Sequence, residues 1–124
     1  MKYAYSSKWT DFAREIATVL ELNHINQARI AVIESKGSKT RNVVARIHTM
    51  GKVMQLGLGE GAFYTIELLT EKFDKQNGEE KIKTIIHELM HIPASFGGGF
   101  RHHKDYVTTR AVEKEFNKIK HLYT

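Results

Sequence analysis

Hydrophobic positions change their period several times along the chain, and each change marks an element. Trp9, Phe12, Ala13, Ile16, Ala17 and Leu20 recur at helical spacing, which predicts a helix from about Lys8 to Glu21 with its apolar stripe turned to a core. Ser7 or Thr10 could cap its start, and Asp11 suits the positive end of its dipole. Ala28 to Glu34 is β-branched and apolar and reads as a strand, followed by a polar turn from Ser35 to Asn42. Val43, Ala45, Ile47 and Thr49 alternate with Val44, Arg46 and His48, as in a half-buried strand. Gly57, Gly59 and Gly61 interrupt the pattern, and alternation resumes over Phe63 to Leu69.

After a turn at Asp74 to Gly78, helical spacing returns. Ile82, Ile85, Ile86, Leu89 and Met90 form a broad apolar face, and Glu79 and Glu80 suit the first turn. Pro93, the only proline, stops this helix near Ile92. A loop holding Gly97, Gly98 and Gly99 follows, and Val112, Phe116, Ile119 and Tyr123 predict a last helix from about Asp105 to His121. The order is helix, three strands, helix, glycine loop, helix, without repeat or linker. This predicts one α+β domain over residues 1–124 with a small three-stranded sheet.

Composition narrows the class. At 124 residues the chain can build one real core but not two, and 41% hydrophobic with 27% charged residues is ordinary for a globular protein. Cysteine is absent, which favours the cytoplasm and excludes thiolate zinc ligands and cysteine nucleophiles. Met1 to Trp9 lack the apolar run of a signal peptide, and no segment approaches the length of a membrane span. The net charge of +5 permits contact with nucleic acid without demanding it.

The chemistry concentrates in His87-Glu88-Leu89-Met90-His91. Residues four apart on a helix stand one above the other, so the two imidazoles can converge on one zinc ion. Glu88 points partly aside, where it can address a water without ligating the metal. Such a water is acidified by the metal, and a carboxylate can take its proton and pass it to a leaving amine. A buried helix carrying two histidines by chance is the bland alternative. The apolar back formed by Ile85, Ile86, Leu89 and Met90, and the glycine loop and histidines that follow, fit metal chemistry better.

A catalytic zinc site usually has three protein ligands and a water. His102, His103 and Glu113 are the downstream candidates. Gly97 to Gly99 let the chain double back, so either histidine could return to the metal, but adjacent residues diverge and only one should face it. Glu113 adjoins Val112 on the final helix and would instead make a glutamate-ligated site.

Three stretches carry a family resemblance: Tyr64-Thr65-Ile66-Glu67-Leu68, then Ile85-Ile86-His87-Glu88-Leu89-Met90-His91-Ile92-Pro93, then His103-Lys104-Asp105-Tyr106. In them the chain resembles phage-type and archaeal metallopeptidases, short relatives of the SprT-like and minimal zincin proteases. The resemblance implies a zinc peptidase with an N-terminal helix, a small sheet and an active-site helix. It favours His103 as third ligand, because His103 to Tyr106 is similar to the segment that supplies that ligand in SprT-like proteins. The interval from His91 to His103 is longer than the metzincin spacing. No cysteine-based zinc ribbon accompanies the motif.

The implied substrate is a peptide or protein, expected to lie extended along an exposed edge of the strand Phe63 to Leu69, at Tyr64 and Ile66. Tyr106 and Tyr64 are phenols that could donate to an oxyanion. Lys36, Lys39, Arg41, Arg46 and Lys52 cluster around the first two strands against the single acid Glu34. Without interleaved aromatics they read as a solvated turn, and any nucleic-acid binding is expected to be weak and salt-sensitive. His24 and His121 are expected at the surface, and His48 on the sheet face opposite Ala45 and Ile47.

Overall fold

The computed structural model describes residues 1–103 and 105–123; Lys104, part of the resembling segment above, and Thr124 lie outside the described residues. The fold is α+β, and its sheet has four strands rather than three. β1 (Lys2–Tyr5), β2 (Ile30–Lys36), β3 (Ala45–Thr49) and β4 (Tyr64–Leu69) stand in the order β1-β2-β4-β3. β1 and β3 pair antiparallel with β2 and β4 respectively, while β2 and β4 are parallel. The unforeseen strand, β1, is short and exposed along its whole length, so no buried alternation advertises it.

Among the described residues, five α-helices accompany the sheet: α1 (Ser7–Val19), α2 (Lys52–Leu58), α3 (Thr70–Phe73), α4 (Gly78–Met90) and α5 (Thr109–Ile119). α1 is capped by Ser6, whose hydroxyl accepts from Trp9 N–H, in place of the expected Ser7 or Thr10. α2 occupies a stretch that reads as glycine-broken. Its apolar residues Val53, Met54, Leu56 and Leu58 are exposed and its polar Gln55 is buried, the inverse of an amphipathic pattern. Gly59, at φ 67°, takes the left-handed C-cap conformation. α5 starts at Thr109, four residues later than expected, because Thr108 caps it through Ala111 N–H. β2 likewise runs Ile30–Lys36 instead of Ala28–Glu34, since Gln27–Arg29 forms a 3₁₀ turn capped by Asn26.

Register aligns Val32, Ile66 and Ile47 in one row across the sheet, and Ile30 with Tyr64 in the next. This face meets Ile16, Ile85, Leu89, Val112 and Phe116 of α1, α4 and α5 in the core. The opposite face carries Thr65, Glu67, Arg46 and His48. His48 stands there as expected, its Nε2 2.8 Å from Glu67 Oε1. Among the described residues no helix is long and apolar enough to cross a membrane.

Candidate metal centre

α4 presents the site. Asn77 and Glu80 close a reciprocal capping box at its start, with bonds of 2.8 and 2.9 Å. Ile82, Ile85, Ile86 and Leu89 bury its apolar face, which turns His87 and Glu88 toward a cleft. His91 is the C-cap, and the negative end of the helix dipole there favours a cation.

The cleft is about 840 Å³, with α4, α5 and residues 42–47 of the β3 edge among its walls. Within it three imidazoles converge. His87 Nε2 and His91 Nε2 are each 3.1 Å from His103 Nε2 and 3.4 Å from one another. Nitrogen ligands at about 2.05 Å from a tetrahedral zinc lie about 3.3 Å apart, so the triangle fits the ion. Hydrogen bonding alone does not account for it. His91 Nδ1 donates to Arg101 O at 2.9 Å, which leaves Nε2 of the neutral ring as a lone pair. Neutral rings can then satisfy at most two of the three contacts. Among the described residues, His87, His91 and His103 are the group that could hold a metal ion.

Electrostatics favour the neutral form of His87 and His91. Burial, reinforced by His91 and His103, pushes His87 down to about 4. Burial also lowers His91, against the opposing pull of the Arg101 carbonyl. Glu88 is buried on the same cleft wall, and burial pushes its carboxyl up to about 7.

The rival ligands line the same cleft but lie outside the triangle. His102 is exposed, and its carbonyl accepts from Tyr106 and Val107 N–H. Glu113 reaches the cleft but is taken by Lys83, whose Nζ stands 2.6 Å from Glu113 Oε1. Tyr106 is half exposed with the Arg101 guanidinium 5.4 Å from its ring centre; Arg101, and not Tyr106, is among the residues lining the cleft.

The expectation of a substrate edge at Tyr64 and Ile66 is overturned. β4 is paired on both sides, by β2 and β3, and both residues are fully buried, so no free backbone edge exists there. The outer strand beside the cleft is β3. Tyr64 is also removed as an oxyanion donor, because its hydroxyl donates to Gly99 O at 2.8 Å. His24 is not a plain surface residue. It is half-buried, with Nε2 3.1 Å from Ile92 O just beyond α4.

Sequence reasoning missed Arg101, whose backbone brackets His91, and Gln55, which reaches the glycine loop. Nothing local signals the first. The glycine run hints at the second, since backbone packed closely against a neighbour demands glycine.

Residues 1–122 match the family model described as "Putative phage metallopeptidase". No curated protein and no solved structure matches the chain.

Proposed function

Because the chain belongs to this phage metallopeptidase family, we propose that it is a zinc peptidase of the minimal zincin type, with Glu88 as its general base. The observation that carries the reading is the convergence of three Nε2 atoms within 3.4 Å, beside a buried carboxylate on one cleft wall. Three ligands leave a tetrahedral ion one open position, as hydrolysis requires and a purely structural site does not.

His87, His91 and His103 would hold the ion. When bound, zinc polarises the scissile carbonyl and acidifies a water toward neutral pH. Glu88 takes the proton from the attacking water and delivers it to the leaving amine nitrogen. Arg101, on the cleft wall, is the donor we assign to the developing oxyanion in place of the Tyr106 phenol. A peptide substrate lies extended against β3, whose outer edge offers backbone groups alongside the site.

The test is hydrolysis of mixed peptides by zinc-loaded protein beside Glu88→Gln. Cleavage by the parent and not by the variant supports the reading, and no cleavage by either removes it. A DNA-associated role draws less support. Arg46 is exposed but lies 3.9 Å from Glu67, which offsets its charge; Lys36, Lys39, Arg41 and Lys52 are the other exposed cations of the cluster. That set favours weak, salt-sensitive contact. The cysteine-free sequence suits a reducing compartment, so the cytoplasm belongs to this reading.

A further inference from the structure

The third ligand sits on an exposed stretch between α4 and α5, outside any helix or strand. Such a segment would ordinarily sample many conformations, and ordering it on metal binding would weaken affinity. Here the preceding loop is tied down residue by residue. Gly97 O accepts from Gln55 Nε2 at 3.1 Å. Gly98 N–H donates to the Tyr64 hydroxyl at 2.9 Å, and the same hydroxyl donates to Gly99 O at 2.8 Å. Arg101 N–H donates to His91 O at 2.8 Å. Only His102 separates this last anchor from His103.

The packing leaves the loop no slack. Gly98 has φ +104°, and a Cβ there would lie 2.6 Å from both Gln55 Nε2 and Met50 O. Gln55 is itself fixed by a second bond, 2.8 Å to Met50 O, and is the buried residue of an otherwise exposed α2. Tyr64 is fully buried on β4, with its ring against Phe96 and Phe100 at 5.0 and 5.9 Å. The hydroxyl of Tyr64 and the amide of Gln55 therefore grip three consecutive glycines from two different elements.

We propose that Tyr64 and Gln55 are positioning residues that clamp Gly97–Gly99 so that His103 returns to His87 and His91 already aimed. The inference rests on the metallopeptidase reading of the histidine triad. It gives α2 a role: the helix carries Gln55 to the loop.

Zinc affinity, measured by chelator competition on the full chain, tests the clamp without relying on activity. The set is the parent, Tyr64→Phe, Gln55→Ala, His103→Ala and the double variant Tyr64→Phe/His103→Ala. Loss of an orienting partner typically weakens metal binding about 10- to 100-fold, and that is the drop expected for Tyr64→Phe. The double variant should bind no more weakly than His103→Ala alone, because the clamp acts through His103. The cobalt(II) absorption spectrum of Tyr64→Phe should shift toward that of His103→Ala. Parent-like affinity in both Tyr64→Phe and Gln55→Ala would overturn the clamp. So would an equal loss from Tyr64→Phe in both backgrounds, which marks a general structural defect. If Tyr64→Phe does not fold, Gln55→Ala decides alone, by the same drop or its absence. A parent that binds zinc no better than His103→Ala overturns the reading of the triad itself, a different result from a parent that binds tightly and is indifferent to Tyr64.

Discussion

His91 and Arg101 are joined by two hydrogen bonds in opposite senses: Arg101 N–H donates to His91 O, and His91 Nδ1 donates to Arg101 O. The pair does two things at once. It presents Nε2 of His91 as a lone pair toward His87 and His103, and it brings the chain back to the end of α4 two residues before His103.

One zinc per chain is the first prediction of the proposed reading. His87→Ala, His91→Ala and His103→Ala should each fall below one equivalent on elemental analysis of purified protein. His102→Ala and Glu113→Ala should retain full zinc, since neither side chain reaches the triangle. Zinc lost from Glu113→Ala but held by His103→Ala would mean the third ligand lies on α5.

Glu88→Gln should keep the zinc and the fold and lose hydrolysis. Glutamine has nearly the same shape but cannot accept the water proton, and loss of a general base costs about 10² to 10⁴ in rate. The measurement is kcat on one peptide, with zinc content determined in the same preparation. Turnover within a factor of two of the parent would exclude Glu88 as the base.

Much of the site was legible because helical geometry forces residues four apart to meet, and His87 and His91 are two such residues on α4. The third position was legible only by resemblance. Nothing in the spacing ranks His103 over His102, which the exposed loop geometry separates. β3, with a half-buried face, and the buried β4 announced themselves by alternation. β1 and α2 did not, because neither buries an apolar stripe: β1 attaches through backbone pairing, α2 through one buried glutamine. Strand order is a long-range property, so the sequence marked Phe63 to Leu69 as a strand without showing that β3 would cover its edge.

That covering moves the proposed substrate edge from β4 to β3. N-methylation of successive peptide-substrate nitrogens should raise KM about 3- to 10-fold at alternate positions, the size of one net hydrogen bond. The alternation arises because every second residue of an added strand faces the sheet. A KM indifferent to methylation throughout, or raised equally at every position, would exclude strand addition at this edge.

The last expectation concerns metal-free protein, where His87 and Glu88 pull stability in opposite directions with pH. His87 is pushed down to about 4 in the fold, so the unfolded chain gains protons more readily below about 6.5 and stability declines as pH falls from 6.5 to 4. Glu88 is pushed up to about 7, so the folded state holds its proton longer than the unfolded one. Its contribution is present below pH 4.5 and is lost as pH rises through 7. Glu88→Gln removes that second dependence and leaves the first. The variant should therefore gain melting temperature relative to the parent as pH rises from 4.5 to 8, the difference growing by up to about 3 kcal/mol in stability. The measurement is a series of thermal melts of both proteins in chelator across that range. A constant gap between the two curves would show that Glu88 titrates alike in the folded and unfolded chain, and that burial does not hold its carboxyl near neutrality.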